Sequence, residues 1–203
     1  MPVTLELSHL CVDLEDGTTV KGENDIDVPK HDPNLRITRA YLEPEVQTNP
    51  KAIRAIEKSD VVIITFGDLY TSIIPNLLTK GLKKAIKNSK AKVIYMCNLM
   101  TKKGETTNFG VVDFIDTLEE YLGKDVIDYV VVNSGYISDK LAEKYKSVEG
   151  KSPVKVKDRD YPILQRKPYR VIERDLLHES SFVRHSYDKV GKVIKEILQM
   201  EGM

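Results

Sequence analysis

The stretch Asp60 to Leu78, D-V-V-I-I-T-F-G-D-L-Y-T-S-I-I-P-N-L-L, decides how the rest of the chain is read. Val61, Val62, Ile63 and Ile64 form an unbroken apolar run, which predicts a strand buried on both faces of a mainly parallel sheet. A turn and a helix start follow at once. Gly67 can adopt backbone angles closed to other residues, and Asp68, Thr71 and Ser72 are short polar side chains suited to capping the next helix. Peptide N–H groups and the positive end of a helix then point out of the sheet's carboxyl edge, where an anion can bind. The stretch is therefore a candidate phosphate cradle. One residue is discordant, because the Asp68 carboxylate repels phosphate unless a divalent cation or a proton intervenes.

Downstream the pattern repeats. Leu82, Ala85 and Ile86 at helical spacing lead to a second buried strand, Lys92 to Cys97, which ends at Asn98. Val111, Ile115, Leu118 and Leu122 mark a helix, and Asp128 to Val132 a third strand ending at Asn133. Strand–helix alternation of this kind builds a parallel sheet whose strands finish on one edge, here presenting Gly67, Asn98 and Asn133 with their loops. A helix around Leu141 and Tyr145 precedes a basic segment, Lys151 to Pro168, expected on the surface, and Tyr169 to Glu173 reads as a last strand. Ser186 caps a closing helix whose Tyr187, Val190, Ile194 and Ile197 are expected to pack inward.

Upstream the period is two. Val3, Leu5 and Leu7 alternate with polar residues, Leu10, Val12 and Leu14 do so again before the turn pair Asp16-Gly17, and Val20 lies on the return strand. Leu35, Ile37 and Tyr41 resume the alternation after a polar stretch, so the first forty residues read as an antiparallel extension. Asn49 with Pro50 then starts a short helix bearing Ile53 and Ile56 on one face.

Composition excludes several classes. The 203 residues suit one domain, with 31 Lys+Arg against 31 Asp+Glu, so no global field recruits nucleic acid or an anionic membrane. No apolar run reaches the ~20 residues of a membrane span, and the N-terminus lacks the order of a signal peptide. Cys11 and Cys97 stand alone without a C-x-x-C, which reads as a reduced cytoplasmic protein without disulfide or structural zinc. His9, His31, His178 and His185 show no metal-ligand spacing, and neither G-x-S-x-G nor G-x-x-x-x-G-K-[ST] occurs.

The loop Asn98 to Asn108, N-L-M-T-K-K-G-E-T-T-N, is the second candidate for chemistry. Thr101, Thr106 and Thr107 offer hydroxyls for phosphate or sugar oxygens, and Lys102 and Lys103 add charge. The plainer reading is a βα loop in which Thr106 or Asn108 caps the next helix. Arg184, held between Phe182-Val183 and Tyr187, is placed to aim at a phosphate or else lies on the surface.

Gly67 to Leu78 closely resembles the G-S-L-Y-T-S-I-I-P-N-L-L of the gluconeogenesis factor family, which is related to 2-phospho-L-lactate transferase, and Cys97 to Thr106 resembles its C-N-L-M-T-Q-P-G-E-T. The similarity runs from Leu14–Glu23 through Tyr41–Glu45 to Val183–His185. It implies a Rossmann-like α/β fold and a cytoplasmic UDP-sugar-binding regulator of carbon metabolism, cell shape and cell-wall growth. The transferase branch instead moves a phospholactyl group to a deazaflavin with magnesium. By motif match Gly67, Tyr70, Thr71, Ser72, Asn98, Thr101, Gly104, Glu105 and Thr106 would line the ligand site, while Phe66 and Asp68 stand where the family has Pro and Ser. Asp68 and Asn133 on the same sheet edge, and Tyr145 and Arg184 at the family's later Tyr and V-R-H positions, complete the expected set. No catalytic residue is assigned, and magnesium is implied only for transferase chemistry, with Asp68 and Glu105 as its carboxylates. The family opens with a G-G-G-T-G strand–turn–helix. This sequence begins downstream of it, so the expectation is a truncated single domain that works as a homo-oligomer or with a partner chain supplying that segment.

Overall fold

The computed structural model describes residues 1–178 and 180–203. Its centre is a four-stranded parallel sheet of β4 (Val61–Ile64), β5 (Lys92–Met96), β6 (Tyr129–Asn133) and β7 (Arg170–Arg174), in that spatial order. A second, antiparallel sheet has the order β2 (Thr19–Lys21), β1 (His9–Leu14), β3 (Ile37–Glu43). The α/β class with an antiparallel extension is thus as the sequence implies.

Alternation within the parallel strands sorts the core into two layers. Val93, Tyr95, Cys97, Val130 and Val132 face one side, where α3 (Ile74–Leu77), α4 (Leu82–Asn88) and α5 (Val111–Leu122) pack through Ile74, Leu77, Leu82, Ile86, Phe114, Ile115 and Leu118. Leu10, Val12, Leu14, Ile37 and Ala40 of the small sheet join the same layer. Ile94, Met96, Tyr129, Val131 and Ile172 face the other side, where Val193 and Ile197 of α8 (Tyr187–Met200) cover them. Period-two strands buried on both faces explain the continuous apolar runs of β5 and β6.

Four expectations are corrected. β4 is not buried on both faces: among the described residues it has one neighbour, β5, its residues are at most half-buried, and Ile63 is 37% exposed. An apolar run reports what a strand can tolerate, whereas its place in the sheet decides its burial. Val3, Leu5 and Leu7 form no strand, with Leu7 94% exposed, because among the described residues no strand pairs with them. Leu35 lies outside β3, and in β3 Ile37 and Ala40 are the buried residues, since an irregularity between Asp13 and Leu14 shifts the register and breaks the simple period. Tyr187 is 87% exposed while Val193 and Ile197 are buried, so the inward stripe of α8 starts later than Tyr187.

Several local readings hold. Asn49 Oδ1 accepts from Lys51 N at the start of α2 (Pro50–Glu57), and Ser186 Oγ accepts from Lys189 N at the start of α8. The cap of α5 is neither Thr106 nor Asn108 but Gly110, whose N–H donates to the Asp113 carboxylate at 2.7 Å. Residues 151–168, which include α7 (Tyr161–Leu164), lie only partly on the surface, since Val154 and Leu164 join the core and Asp160 is buried. The polar stretch before β3 includes a short helix, α1 (Glu23–Asp27), whose Asp27 contacts Lys102 in the loop after β5. Among the described residues no helix is long and apolar enough to cross a membrane.

Candidate functional site

A cleft of about 940 Å³ opens at the carboxyl ends of β4 and β5, within the range of small-molecule and cofactor sites. Phe66, Gly67, Asp68 and Ser72 come from the β4 end, and Asn98 to Thr101 from the β5 end. Tyr145 and Glu149 of α6 (Asp139–Glu149), then Lys151, form one wall. The segment before α8 forms the other, with His178, Phe182, Val183, Arg184 and His185.

That last wall is a flap with defined anchors. Leu177 and His185 pair in an antiparallel bridge, His178 N donates to Arg184 O at 2.9 Å, and Ser186 N donates to Leu176 O at 2.7 Å. Val183 N donates to the Tyr145 hydroxyl at 3.3 Å, so Tyr145 holds the flap as well as facing the cleft. The His185 ring stacks on Phe66 at 3.5 Å and 13°. Burial lowers the His185 pKa to about 4 against an opposing hydrogen bond with the Cys97 main chain, so the imidazole is neutral at physiological pH.

The expected phosphate cradle is already filled. Leu69–Ile73 form a π-helical turn, and the N–H groups of Tyr70 and Thr71 donate to Glu105 Oε2 at 3.0 and 3.2 Å while the Thr71 hydroxyl donates to Glu105 Oε1 at 3.0 Å. An internal carboxylate therefore takes the anion's place. Asp68 does not cap the turn with its side chain. Its carboxylate instead meets Lys102 Nζ at 2.7 Å, and Lys102 also contacts Asp27 and lies 3.3 Å from Glu105. Burial raises the Glu105 pKa, with the Lys102 charge opposing it. For Lys102, burial disfavours the charge, but the carboxylates of Asp27, Asp68 and Glu105 outweigh it and the pKa is raised.

Asp27, Asp68 and Glu105 have carboxylate oxygens within 4.8 Å of one another, a spacing that fits a divalent cation in principle. The lysine ammonium occupies the middle of that set, so the donor group does not fit magnesium while Lys102 stays in place.

The loop Asn98 to Asn108 is tied largely to itself and to its neighbours. Thr101 Oγ1 accepts from Ser152 N, Thr106 Oγ1 accepts from Lys102 N, and Thr107 Oγ1 donates to Pro33 O. Gly104, at φ +83, lies so close to Pro29 that a Cβ would come within 2.6 Å of it. Asn133 is likewise structural: its Oδ1 accepts from Leu176 N at 2.9 Å and Gly135 N at 3.1 Å. Of the expected site residues, Gly67, Asp68, Ser72, Asn98, Thr101, Tyr145 and Arg184 line the cleft. Tyr70, Thr71, Gly104, Glu105, Thr106 and Asn133 stand behind it, in the hydrogen bonds and packing that shape the loops. Sequence reasoning missed Phe66, His185, Phe182 and Asp27. Phe66 carried a signal, since the resembled family has Pro at that position, and so did His185, the last residue of the resembled Val183–His185 stretch.

Fold and cleft together define a Rossmann-like α/β protein with a ligand-sized site at the carboxyl edge of its parallel sheet. The chain belongs to the family described as 2-phospho-L-lactate transferase CofD, whose family model matches residues 1–177. It is similar to the putative gluconeogenesis factor of Thermotoga maritima, 38% identical over 97% of this chain and 61% of that protein. It is also similar to the gluconeogenesis factor of Bacillus subtilis, 34% identical over 94% of this chain and 58% of that protein. A crystal structure of a UPF0052 family member from Bacillus halodurans superposes with a TM-score of 0.86 at 33% identity, covering 96% of this chain and 61% of that one. The chain thus spans about six-tenths of the length of these relatives.

Proposed function

We propose that this chain is a nucleotide-sugar-binding regulatory protein of the gluconeogenesis factor type, taking a UDP-sugar in the cleft and acting in carbon metabolism, cell shape and cell-wall growth. The observation that carries the reading is convergence. Gly67, Asn98, Tyr145 and Arg184 come from four separated segments singled out by the family resemblance, and all four line one cleft of about 940 Å³. Arg184 supplies a guanidinium for phosphate oxygens, while Ser72, Asn98 and Tyr145 supply hydroxyl and amide groups for sugar and phosphate.

The rival reading is phospholactate transfer to a deazaflavin, which needs a carboxylate-held metal. Lys102 within the Asp27, Asp68 and Glu105 cluster weighs against it. A third reading, a scaffold without a ligand of its own, separates from the first by binding alone. The proposal also includes a further strand–helix unit on the open edge of β4, supplied in cis, by a partner polypeptide or by a second copy, because an unpaired apolar edge strand invites pairing.

The test is titration calorimetry with UDP-N-acetylglucosamine, beside incubation with a nucleotide-activated phospholactate donor, a deazaflavin and magnesium. Saturable binding without product supports the regulator. Product formation replaces it with the transferase, and absence of both leaves the scaffold.

A further inference from the structure

We propose that Phe182 is the stacking platform for the base of the bound nucleotide, so that the cleft selects ligands in which a planar heterocycle carries a phosphate or diphosphate. This rests on the nucleotide-binding reading above and names the part of the site that reads the base.

The flap S-F-V-R-H, Ser181 to His185, alternates in the manner of a strand. Val183 and His185 are half-buried, whereas Phe182 and Arg184 are exposed. Ser180 fixes the backbone at this point, its Oγ donating to Phe182 O at 2.8 Å. Phe182 belongs to neither core cluster and is 55% exposed. It lines both the main cleft and a neighbouring hollow of about 290 Å³, and so forms part of the ridge between them. A phenylalanine on such a ridge lacks the ~1.5–3 kcal/mol of full burial, part of which a planar group laid on its ring would supply.

The charges around it specify the ligand. Arg184 Cζ stands 5.9 Å and Lys144 Nζ 6.0 Å from the ring centroid, at the outer limit of a cation–π contact. Both cations stand over the ring, so a base that stacks there takes the place of one of them, at the long separation of a weak contact. A base laid on the ring places an attached phosphate beside the Arg184 guanidinium, which offers a charge-assisted pair. Aromatic stacking accepts any π-face, so the platform recognises the class of ligand, and the hydrogen-bonding groups of the cleft discriminate within it.

The chain contains no tryptophan, so Phe182→Trp creates a single fluorescent reporter at the platform. UDP should quench it, and inorganic phosphate or N-acetylglucosamine 1-phosphate should not. Phe182→Ala should bind UDP roughly ten-fold more weakly than the unaltered chain, at unchanged melting temperature, and should bind N-acetylglucosamine 1-phosphate equally well. Equal UDP affinity in Phe182→Ala, or an equal loss for the sugar phosphate, overturns the platform while leaving the nucleotide-sugar reading in place. If the unaltered chain binds none of UDP, GDP, ADP and flavin mononucleotide, both fall together.

Discussion

Lys102 Nζ lies 2.7 Å from Asp68 Oδ2, joining two residues at which this chain departs from the motifs it resembles, which have Gln and Ser there. The two departures are one structural feature. A lysine in the second loop is matched by an added carboxylate in the first, and the lysine also lies 3.3 Å from the buried Glu105. Lys102→Gln alone should cost about 3 kcal/mol, the low end for breaking a buried pair because Asp68 and Asp27 reach solvent. Adding Asp68→Ser should recover part of that loss. A double-mutant cycle by urea denaturation measures the coupling, and strict additivity would show that the contact carries no energy.

Arg184 is exposed on the cleft wall, and its main chain rather than its side chain holds the flap through His178 N. Arg184→Ala should accordingly weaken UDP-N-acetylglucosamine by about 1.5–3 kcal/mol, roughly ten-fold or more, while leaving the melting temperature unchanged. Calorimetry and thermal melting together check this. Unaltered affinity assigns the guanidinium to solvent.

His185 links stability to pH. Its pKa falls from the ordinary 6.5 to about 4 in the folded protein, chiefly through burial, so protonation favours the unfolded chain. Its contribution is fully present above pH 6.5 and is lost as the pH falls toward 4. The difference in melting temperature between the unaltered chain and His185→Gln, followed from pH 7 to pH 4, should shrink as the solution becomes more acidic. A difference independent of pH would mean that burial does not hold the ring in its neutral form.

The open edge of β4 should make the 203-residue polypeptide self-associate when studied alone. Ile63, half out of the sheet, is the residue to change. Sedimentation velocity should report a mixture of states for the unaltered chain and a shift toward monomer for Ile63→Lys, since an edge lysine disfavours strand addition. Monodisperse monomer in both cases would place no pairing on that edge.

The sequence by itself determined the strands and helices of the parallel sheet and their order. Apolar runs at Val93–Met96 and Tyr129–Val132, the Asn49-Pro50 helix start and the Asp16-Gly17 turn specify local structure through interactions a few residues long, and these stand where the pattern puts them. The carboxyl edge was legible for the same reason, because alternating strands and helices place it by topology. What only the tertiary structure decided is which groups meet across that edge. Glu105 reaches the amides of Tyr70 and Thr71 from thirty-five and thirty-four residues away, and Asp27 comes to Lys102 from seventy-five. Such pairings turned the expected phosphate cradle into an internal ion cluster and left the flap and the cleft beside it as the candidate site. Burial is decided at the same level: β4 carries the same apolar signature as β5 and is half-exposed, because a strand's second neighbour is a property of the assembled sheet and not of its own residues.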